Sequence, residues 1–531
     1  MKKMLVAAAA ACLGLCQPAI AQDFDPQKFR AHLMFLADDL LEGRDTGSRG
    51  HDIAAGYVAS QFMELGLTPA ANGGWYQQVP LVEYGVTSGS IAIGGTRFAH
   101  GKGVAIAPDP QSGKMDMEAP VVFVGYGLTE PKYGLDDYAG LDVRGKIVAV
   151  IGDLPEGLPS DVAAHLGRER RSMAARAGAV GMIAIRTRAE AERWPWERFA
   201  ANAGRLGMTW VGPDGQPHVG APGLRFMATL NEAAAAALFA GAPTSLEAVL
   251  DEVAAKRRPR GFPLQAKIQV TREGTSKNVT SRNVVAFIPG SDPDLADEYV
   301  AFTAHVDGVG MEKDGRVRAG AVDNASGVAA MLEAARALAV SPDRPRRGVL
   351  FVALTGEEKG LLGAQYLARN PVRGGRMVGL VNLDTPIFLY DFVDVIAFGA
   401  EHTTLGPVVQ AAAEKMGVAL IPDPLPEEGI FTRSDHYEFV REGVPSVFLL
   451  TGFGNGGGEK FKSYLAKTYH TPEDDLNLPF DWDAAARFSK LNYLVLREMA
   501  DAPKAPLWYQ GSYFGDSFAA GQAKAKAKAV E

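Results

Sequence analysis

The sequence predicts an α/β protein with a mostly parallel sheet covered by helices on both faces, together with a smaller inserted β-rich domain. From residue 283 onward, short apolar strands alternate with amphipathic helices, which is typical of a sheet buried on both sides. Between about residues 103 and 261 the pattern changes to short apolar strands with Ala-rich helices near 231–255. The 531 residues are 47% hydrophobic and 22% charged, a globular composition sufficient for about two to four domains.

Apolar periodicity predicts the positions of the helices and strands. Residues 26–67 have the spacing of helices, and residues 76–106 that of short strands and turns. In the second half the predicted strands are 283–288, 299–304, 348–354, 378–383, 393–398 and 446–450, and the predicted helices are 324–340, 358–369, 404–416 and 483–500. We therefore expect a domain formed by residues 22–102 and 262–505, an inserted domain over 103–261, and a flexible tail over 506–531 that ends in Ala-Lys repeats.

Residues 1–21 have the pattern of a signal peptide. Two lysines precede an apolar run over 4–15, and Ala19-Ile20-Ala21 fits a cleavage site. The run is too short to cross a bilayer, and no other stretch is long enough, so we expect an exported protein, periplasmic or secreted, without membrane insertion after cleavage. Both cysteines, Cys12 and Cys16, lie in this leader. Disulfides, thiol catalysis and cysteine-zinc sites are therefore excluded from the mature chain.

The charge balance argues against a nucleic-acid partner. The chain has 54 Lys and Arg residues against 62 Asp and Glu residues, a formal net charge of −8. Proteins that bind nucleic acids normally carry a basic excess.

Five segments place possible metal ligands at or near the ends of predicted strands, where open α/β sheets bind their ligands. Each has an ordinary explanation when taken alone: Asp323 suits a helix N-cap, and Thr355 with Glu358 has capping-box spacing. Adjacent carboxylates, however, repel each other, and a metal ion would relieve that repulsion. The segments are His305-Val306-Asp307, Asp323-Asn324, Glu357-Glu358, Asp384 and His470.

Together these segments predict a binuclear metal site. They offer two histidines, two aspartates and one glutamate as ligands, with a second glutamate to spare, and zinc accepts such nitrogen and oxygen ligands. Five protein ligands are more than one tetrahedral catalytic zinc uses. We therefore expect two ions with one carboxylate bridging them.

The ordered set of motifs over residues 283–500 resembles the M28-type zinc exopeptidases, close to secreted bacterial aminopeptidases. Leu41-Glu42-Gly43-Arg44 is similar to the N-terminal segment of that family. Residues 103–261 resemble a protease-associated (PA) insert. The segments that carry this resemblance include Val124-Gly125-Tyr126-Gly127 and Val143-Arg144-Gly145-Lys146. The resemblance implies a zinc-exopeptidase-like fold with peptide substrates.

The resemblance also assigns roles to the metal ligands. It gives one zinc to His305 and Asp384, the other to Glu358 and His470, and makes Asp323 the bridge. Two Zn²⁺ ions per chain are therefore expected, and none of their ligands comes from the insert.

The remaining roles come from the same resemblance. Glu357 is the expected general base for a metal-activated water, Asp307 supports His305, and the peptide bond between Asp323 and Asn324 is expected to be cis. Ser434-Asp435-His436 matches a family element near the cleft without an assigned role. Thr385-Pro386 replaces a more usual methionine after Asp384, which affects the expected shape of the pocket.

The function these features favour is a di-zinc aminopeptidase that hydrolyses N-terminal residues from peptides. One alternative is a cyclase of the glutaminyl type, but such enzymes use one zinc and lack the ligand at the position of His305. A second is the M20 group of amidohydrolases and carboxypeptidases, which carry their insert between the fourth and fifth ligands, whereas here the insert lies upstream of His305. A third is a non-catalytic, receptor-like relative, which would have lost ligands, and none is lost in this sequence. The choice between aminopeptidase and carboxypeptidase, the side-chain preference, the role of the insert and the oligomeric state stay open.

Overall fold

One large mixed β-sheet organises the fold in a computed structural model that describes residues 24–111 and 113–527. The predicted signal peptide, residues 1–21, lies outside the described residues. Sixteen strands join this sheet, and two short strand pairs stand apart from it. The strands are β1 (Thr68–Pro69), β2 (Tyr76–Ile93), β3 (Thr96–Ala99), β4 (Val104–Ile106), β5 (Lys114–Phe123), β6 (Thr129–Glu130), β7 (Leu135–Asp136), β8 (Ile147–Ile151), β9 (Gly181–Ile185), β10 (Gly207–Trp210), β11 (Phe226–Leu230), β12 (Phe262–Ile288), β13 (Glu298–His305), β14 (Gly348–Leu354), β15 (Arg376–Leu383), β16 (Asp394–Phe398), β17 (Ala419–Ile421), β18 (Ser446–Thr451), β19 (Trp508–Tyr509) and β20 (Lys524–Ala525).

The helices connect and cover these strands. They are α1 (Pro26–Leu36), α2 (Arg49–Glu64), α3 (Ser160–Arg176), α4 (Arg188–Arg193), α5 (Trp196–Ala201), α6 (Glu232–Leu238), α7 (Leu246–Ala254), α8 (Ser326–Ala339), α9 (Leu362–Arg369), α10 (Leu405–Lys415), α11 (His436–Arg441), α12 (Gly457–Lys467), α13 (Trp482–Asp501) and α14 (Tyr513–Phe518). Short 3₁₀ or irregular turns lie between them, including a π-turn at Ala321–Ala325. In the parts of the chain described here, no helix is both long and apolar enough to cross a membrane.

The strand order confirms the predicted α/β class. Strands β14, β13, β15 and β18 run parallel and side by side, while β12 and β16 pair antiparallel at either side of them. In the inserted region β5, β8, β9 and β11 form a second parallel run, with helices α3 to α7 along this part of the chain.

Helices cover both faces of the central strands, because alternate residues of a strand point to opposite sides. On β13, Val300, Phe302 and Ala304 join the core that contains α1, α8 and α13. Tyr299 and Ala301 point the other way, into a core that contains residues of α9 and α11. Nearly every residue of β13 and β14 is buried, as expected from the apolar strand sequences that predicted a sheet covered on both faces.

A long antiparallel ribbon of β2 and β12 joins the two parts of the sheet. Its pairing runs from Tyr76 opposite Val284 to Ile93 opposite Ile268. One end of β12 pairs with β14, and the other end pairs with β5 of the inserted region. The sheet is therefore continuous across the predicted boundaries at 102 and 261, and the division into domains there stays a prediction.

The expectation of a flexible tail over 506–531 is wrong for its described part. Strands β19 and β20 pair with each other, and α14 lies between them. Trp508 is 1% exposed and its indole nitrogen donates to the Gly443 carbonyl at 2.9 Å. Phe514 is fully buried. The Ala-Lys repeats suggested a frayed end, but the aromatic residues before them anchor the segment.

Candidate metal centre

Three neighbouring parallel strands bring the predicted ligands to one edge of the sheet. His305 is the last residue of β13, Asp384 directly follows β15, and Glu358 lies in the loop after β14. In the sheet β13 lies between β15 and β14, so the carboxyl ends of all three are adjacent. The position of these residues in the sequence is thus sufficient to bring them together.

The first group of ligands centres on His305. Its Nε2 atom lies 3.2 Å from Asp384 Oδ1 and 3.3 Å from Asp323 Oδ1. The histidine is 1% exposed, and the candidate ligand atoms of the three residues lie within 4.8 Å of one another.

The second group centres on His470, in the loop after α12. Its Nε2 atom lies 3.1 Å from Asp323 Oδ2 and 3.1 Å from Glu358 Oε2. This group also keeps its candidate ligand atoms within 4.8 Å of one another.

Asp323 belongs to both groups and presents a different oxygen to each. It lies in the turn Ala321–Ala325, and α8 begins only at Ser326. The N-cap explanation is therefore wrong, because Asp323 makes no cap for this helix. The peptide bond between Asp323 and Asn324 is cis, as the resemblance predicted.

Two buried polar atoms of the centre have no hydrogen-bond partner among the described residues, namely Glu358 Oε1 and His470 Nε2. Buried polar atoms are normally hydrogen-bonded, so these orphaned atoms fit a metal-binding role. Burial and the neighbouring Asp323 raise the pKa of Glu358 to about 7. Burial, together with Asp384 and Glu358, also raises the pKa of Glu357. A cation would offset the cost of keeping both carboxylates ionised, and imidazole nitrogens with carboxylate oxygens suit zinc.

Comparison with known proteins matches residues 283–496 to Peptidase family M28. These residues form an M28 peptidase domain.

Curated relatives of the chain share about half of their length with it. Leupeptin-inactivating enzyme 1 of Streptomyces exfoliatus is 26% identical over 258 residues, 45% of this chain and 50% of the relative. Leucine aminopeptidase 1 of Trichophyton rubrum is 28% identical over 237 residues, 42% of this chain and 59% of the relative.

The fold also resembles solved structures over most of the chain. An aminopeptidase from Aneurinibacillus sp. strain AM-1 aligns with a TM-score of 0.52 at 19% identity, covering 91% of this chain and 96% of that one. At this identity the likeness concerns the fold.

Asp307 orients two parts of the M28 centre. Its main-chain carbonyl accepts a hydrogen bond from His305 Nδ1 at 3.2 Å, while its carboxylate lies 3.8 Å from the same nitrogen. The carboxylate instead accepts from the backbone N–H groups of Glu357 and Glu358 at 3.2 and 3.3 Å, and from the Thr46 hydroxyl at 3.0 Å. The expected support of His305 thus involves the main chain, and the side chain fixes the turn that carries the two glutamates.

Asp474 is a supporting residue that the sequence interpretation missed. It is 2% exposed, and its carboxylate accepts from the N–H groups of Val322 and Asp323 at 2.9 and 3.1 Å. The same carboxylate accepts from the Tyr464 hydroxyl at 3.0 Å. Asp474 therefore connects the bridging aspartate to the loop of His470. Its position four residues after His470, in the same loop, is the available sequence signal.

Asn324 connects the bridging turn to the segment of Asp384. Its side-chain amide donates to the Leu383 carbonyl at 2.9 Å. Its side-chain oxygen accepts from the N–H groups of Gly327 and Thr385 at 3.1 and 3.3 Å. One buried amide thereby joins the turn of the bridging aspartate to the segment that carries Asp384.

Arg44 holds the loops around the M28 centre from the N-terminal side. The residue is 1% exposed. Its guanidinium donates to main-chain carbonyls at Val306 and Gly320, both at 3.0 Å, and also to those of Leu36 and Ala319. This contact gives a structural reason for the family-like segment at residues 41–44.

The segment Ser434-Asp435-His436 is buried at the start of α11. Ser434 accepts a hydrogen bond from Asn382 Nδ2 at 2.8 Å. Neither carboxylate oxygen of Asp435 and neither ring nitrogen of His436 has a hydrogen-bond partner in the described parts of the chain. Burial, with Asp307 and Asp384 nearby, raises the pKa of Asp435, although His305 opposes the shift. The segment thus places a further carboxyl group in the electrostatic environment of the ligands.

Proposed function

We propose that the chain is a di-zinc aminopeptidase that removes N-terminal residues from peptides. The observation that carries the proposal is the position of Asp323, whose Oδ1 and Oδ2 atoms lie 3.3 and 3.1 Å from the Nε2 atoms of His305 and His470. One carboxylate shared by two ligand groups is the arrangement that a two-metal site needs.

The proposed ligands divide between two ions. His305 and Asp384 would hold one, Glu358 and His470 would hold the other, and Asp323 would bridge them. Bound zinc supplies Lewis acidity, which makes a water molecule more acidic and polarises a peptide carbonyl.

Glu357 is the proposed general base. It follows β14 beside the ligand Glu358, but it belongs to neither ligand group. Its backbone N–H is fixed by Asp307, and burial raises the pKa of its carboxyl group. A carboxylate with a raised pKa can accept a proton from the attacking water and later deliver it to the leaving amine.

The name of one relative favours cleavage at a free N-terminus. The Trichophyton relative is named a leucine aminopeptidase. The leader pattern in residues 1–21 further supports export, to the periplasm or the medium, as part of the same proposal.

The test is a comparison of substrates with the zinc-loaded protein. We expect hydrolysis of leucyl-p-nitroanilide and of a peptide with a free N-terminus, and no release from the same peptide with an acetylated N-terminus. Release of the C-terminal residue from the acetylated peptide would instead establish a carboxypeptidase. Cyclisation of an N-terminal glutamine without hydrolysis would establish the cyclase alternative.

A further inference from the structure

A cavity of ≈ 500 Å³ lies between the inserted region and the M28 domain. One wall is formed by α3, by residues 107–110 and by strands β10 and β11 with the loop between them. The opposite wall is formed by the loop at Lys359, by α9 and by α11. The cavity therefore borders both parts of the chain.

The lining of this cavity is cationic, although the whole chain has a formal net charge of −8. Seven basic side chains line it, against three acidic ones. The basic residues are Arg168, Arg171, Arg225, Arg272, Lys359, Arg369 and Arg441, and the acidic residues are Asp109, Glu169 and Glu438.

Several of these basic groups are neutralised by nearby carboxylates, but Arg171 and Arg225 are not. Neither side chain has an ion pair or a hydrogen bond within residues 24–111 and 113–527, and both are exposed. The pairs that do form are Arg272 with Asp109 at 3.1 Å, Arg441 with Glu169 at 2.8 Å, Lys359 with Asp45 at 2.7 Å, and Arg369 with Glu442 at 3.4 Å.

A half-buried histidine, His218, also lines the cavity. His218 stacks on Trp210 with ring centroids 4.4 Å apart. Burial, followed by the charges of Arg369 and Arg441, lowers its pKa to about 4. The histidine is thus neutral at pH 7 and adds no charge to the lining.

Two parts of the cavity wall directly follow, in the chain, residues at or near the metal centre. Lys359 directly follows the proposed ligand Glu358, and α11 begins directly after Asp435. From there α9 extends for 8 residues to Arg369. Such a helix spans about 12 Å, the length of about four residues of extended peptide. The four residues of a pentapeptide beyond its first peptide bond have this length, so they can span α9 as far as Arg369, which lines the same cavity as Arg171 and Arg225.

The geometry points to a subsite for peptide carboxylates: the cavity binds the acidic part of a peptide substrate that lies C-terminal to the cleaved bond. Its ligand is the C-terminal carboxylate of a short peptide, or an acidic side chain at the same distance. This inference rests on the proposed function for the direction of the substrate. It predicts that short peptides with a free C-terminus are better substrates than their amides.

The experiment uses three pentapeptides with the same N-terminal residue: one with a C-terminal carboxylate, one with a C-terminal amide, and one amide with glutamate at position four. Values of kcat/KM are measured for the wild type and for the double variant Arg171→Ala/Arg225→Ala. Arg176→Ala, which removes an exposed arginine of the same helix α3 outside the cavity, is the matched control. We expect the wild type to prefer at least one carboxylate peptide over the neutral amide. In the double variant the ratio of kcat/KM for the carboxylate peptide to kcat/KM for the amide should be roughly 5-fold smaller, because each exposed ion pair changes affinity by a factor of a few.

The outcomes separate this inference from the proposed function. The subsite would be overturned if the wild type gave equal kcat/KM values for all three peptides. It would also be overturned if the double variant kept the same carboxylate preference as the wild type and Arg176→Ala. Equilibrium binding of the same peptides to Glu357→Gln protein gives a readout that does not depend on turnover. A carboxylate preference in binding, abolished in the double variant, would support the subsite even if leucyl-p-nitroanilide were not hydrolysed, in which case only the aminopeptidase proposal would fail.

Discussion

Glu357 and Glu358 are adjacent in the chain, yet the structure gives them different surroundings. Glu358 Oε2 lies 3.1 Å from His470 Nε2, whereas Glu357 belongs to neither ligand group. We predict that Glu357→Gln keeps both zinc ions and lowers kcat by at least ~10²-fold, the lower range for loss of a general base. Glu358→Gln should instead lower the zinc content.

Metal analysis beside steady-state kinetics distinguishes the two roles. Glu459→Gln, which changes an exposed glutamate at the start of α12, serves as the control and should match the wild type in both measurements. Near-native turnover in Glu357→Gln would refute the role of Glu357 as base.

Asp474 shows how much a residue that binds no metal can contribute to the centre. Its carboxylate accepts hydrogen bonds from the N–H groups of Val322 and Asp323. Because these bonds fix the main chain that carries the bridging Asp323, weakening them should leave that carboxylate less well positioned. Supporting residues of this kind typically contribute about 10- to 100-fold in metal affinity. We predict a zinc affinity lowered by that factor in Asp474→Asn, with activity that recovers as zinc is added in excess.

A zinc titration of the chelated protein, followed by activity, measures this effect. Asp475→Asn is the matched control, because the neighbouring carboxylate bonds only within its own turn, to Asn477. A fixed loss of activity that excess zinc leaves unchanged would assign Asp474 to the reaction itself.

Sequence reasoning succeeded where a functional residue ends a strand. His305, Asp384 and the two glutamates each lie at or just after the end of a largely apolar strand, and parallel strands bring such positions together. Asp474 and Arg44 gave no comparable signal, because their roles consist of hydrogen bonds to main-chain groups far away in the sequence. Those contacts depend on how the loops pack, which periodicity does not specify.

At the scale of elements, α3 packs against α11 and α14 around a buried histidine. His165 is 7% exposed, and its Nδ1 atom lies 2.6 Å from the Tyr437 hydroxyl. Burial lowers the pKa of His165 to about 4, whereas an unfolded histidine titrates near pH 6.5. Between about pH 6.5 and pH 4 the histidine is protonated in the unfolded chain but still neutral in the folded chain. The contribution of the neutral, buried His165 to folding stability is therefore complete above pH 6.5 and is lost as the pH falls from 6.5 to 4.

We predict that His165→Gln reduces the acid sensitivity of folding. Glutamine cannot titrate, so the fall in Tm between pH 7 and pH 5 should be smaller in this variant than in the wild type. Tyr437→Phe is the control: it removes the hydroxyl but leaves the histidine buried, so it should keep the wild-type fall. Equal pH profiles for His165→Gln and the wild type, measured by thermal denaturation, would contradict the prediction.

At the scale of the whole molecule, β12 could not be predicted in full. It has 27 residues, of which only the apolar 283–288 end was recognised from the sequence. The middle of the strand is polar and mostly exposed, because there it pairs with β2 alone. Its length nevertheless decides the architecture, because it carries the sheet from the M28 domain into the inserted region. Through Arg272 the same strand also lines the cationic cavity.

The stability of the whole molecule should depend on its metal centre. Five carboxylates, those of Asp307, Asp323, Glu357, Glu358 and Asp384, converge on the site with two histidines. Without cations these buried like charges repel one another. A ligand that binds only the folded state raises the free energy of unfolding by RT ln(1 + [L]/Kd), which is about 4 kcal/mol when the free ligand concentration is 1,000 times Kd. We predict that chelation abolishes activity and lowers the Tm, and that both recover on adding two equivalents of zinc.

The shape of that titration tests the bridge directly. In the wild type, activity and Tm should both reach a plateau at two zinc ions per chain. In Asp323→Asn the shared ligand loses one anionic oxygen, so the second ion should bind more weakly and the titration should separate into two steps. A wild-type plateau at one equivalent would favour the single-zinc cyclase chemistry, because one ion would then leave either His305 or His470 without a metal to bind.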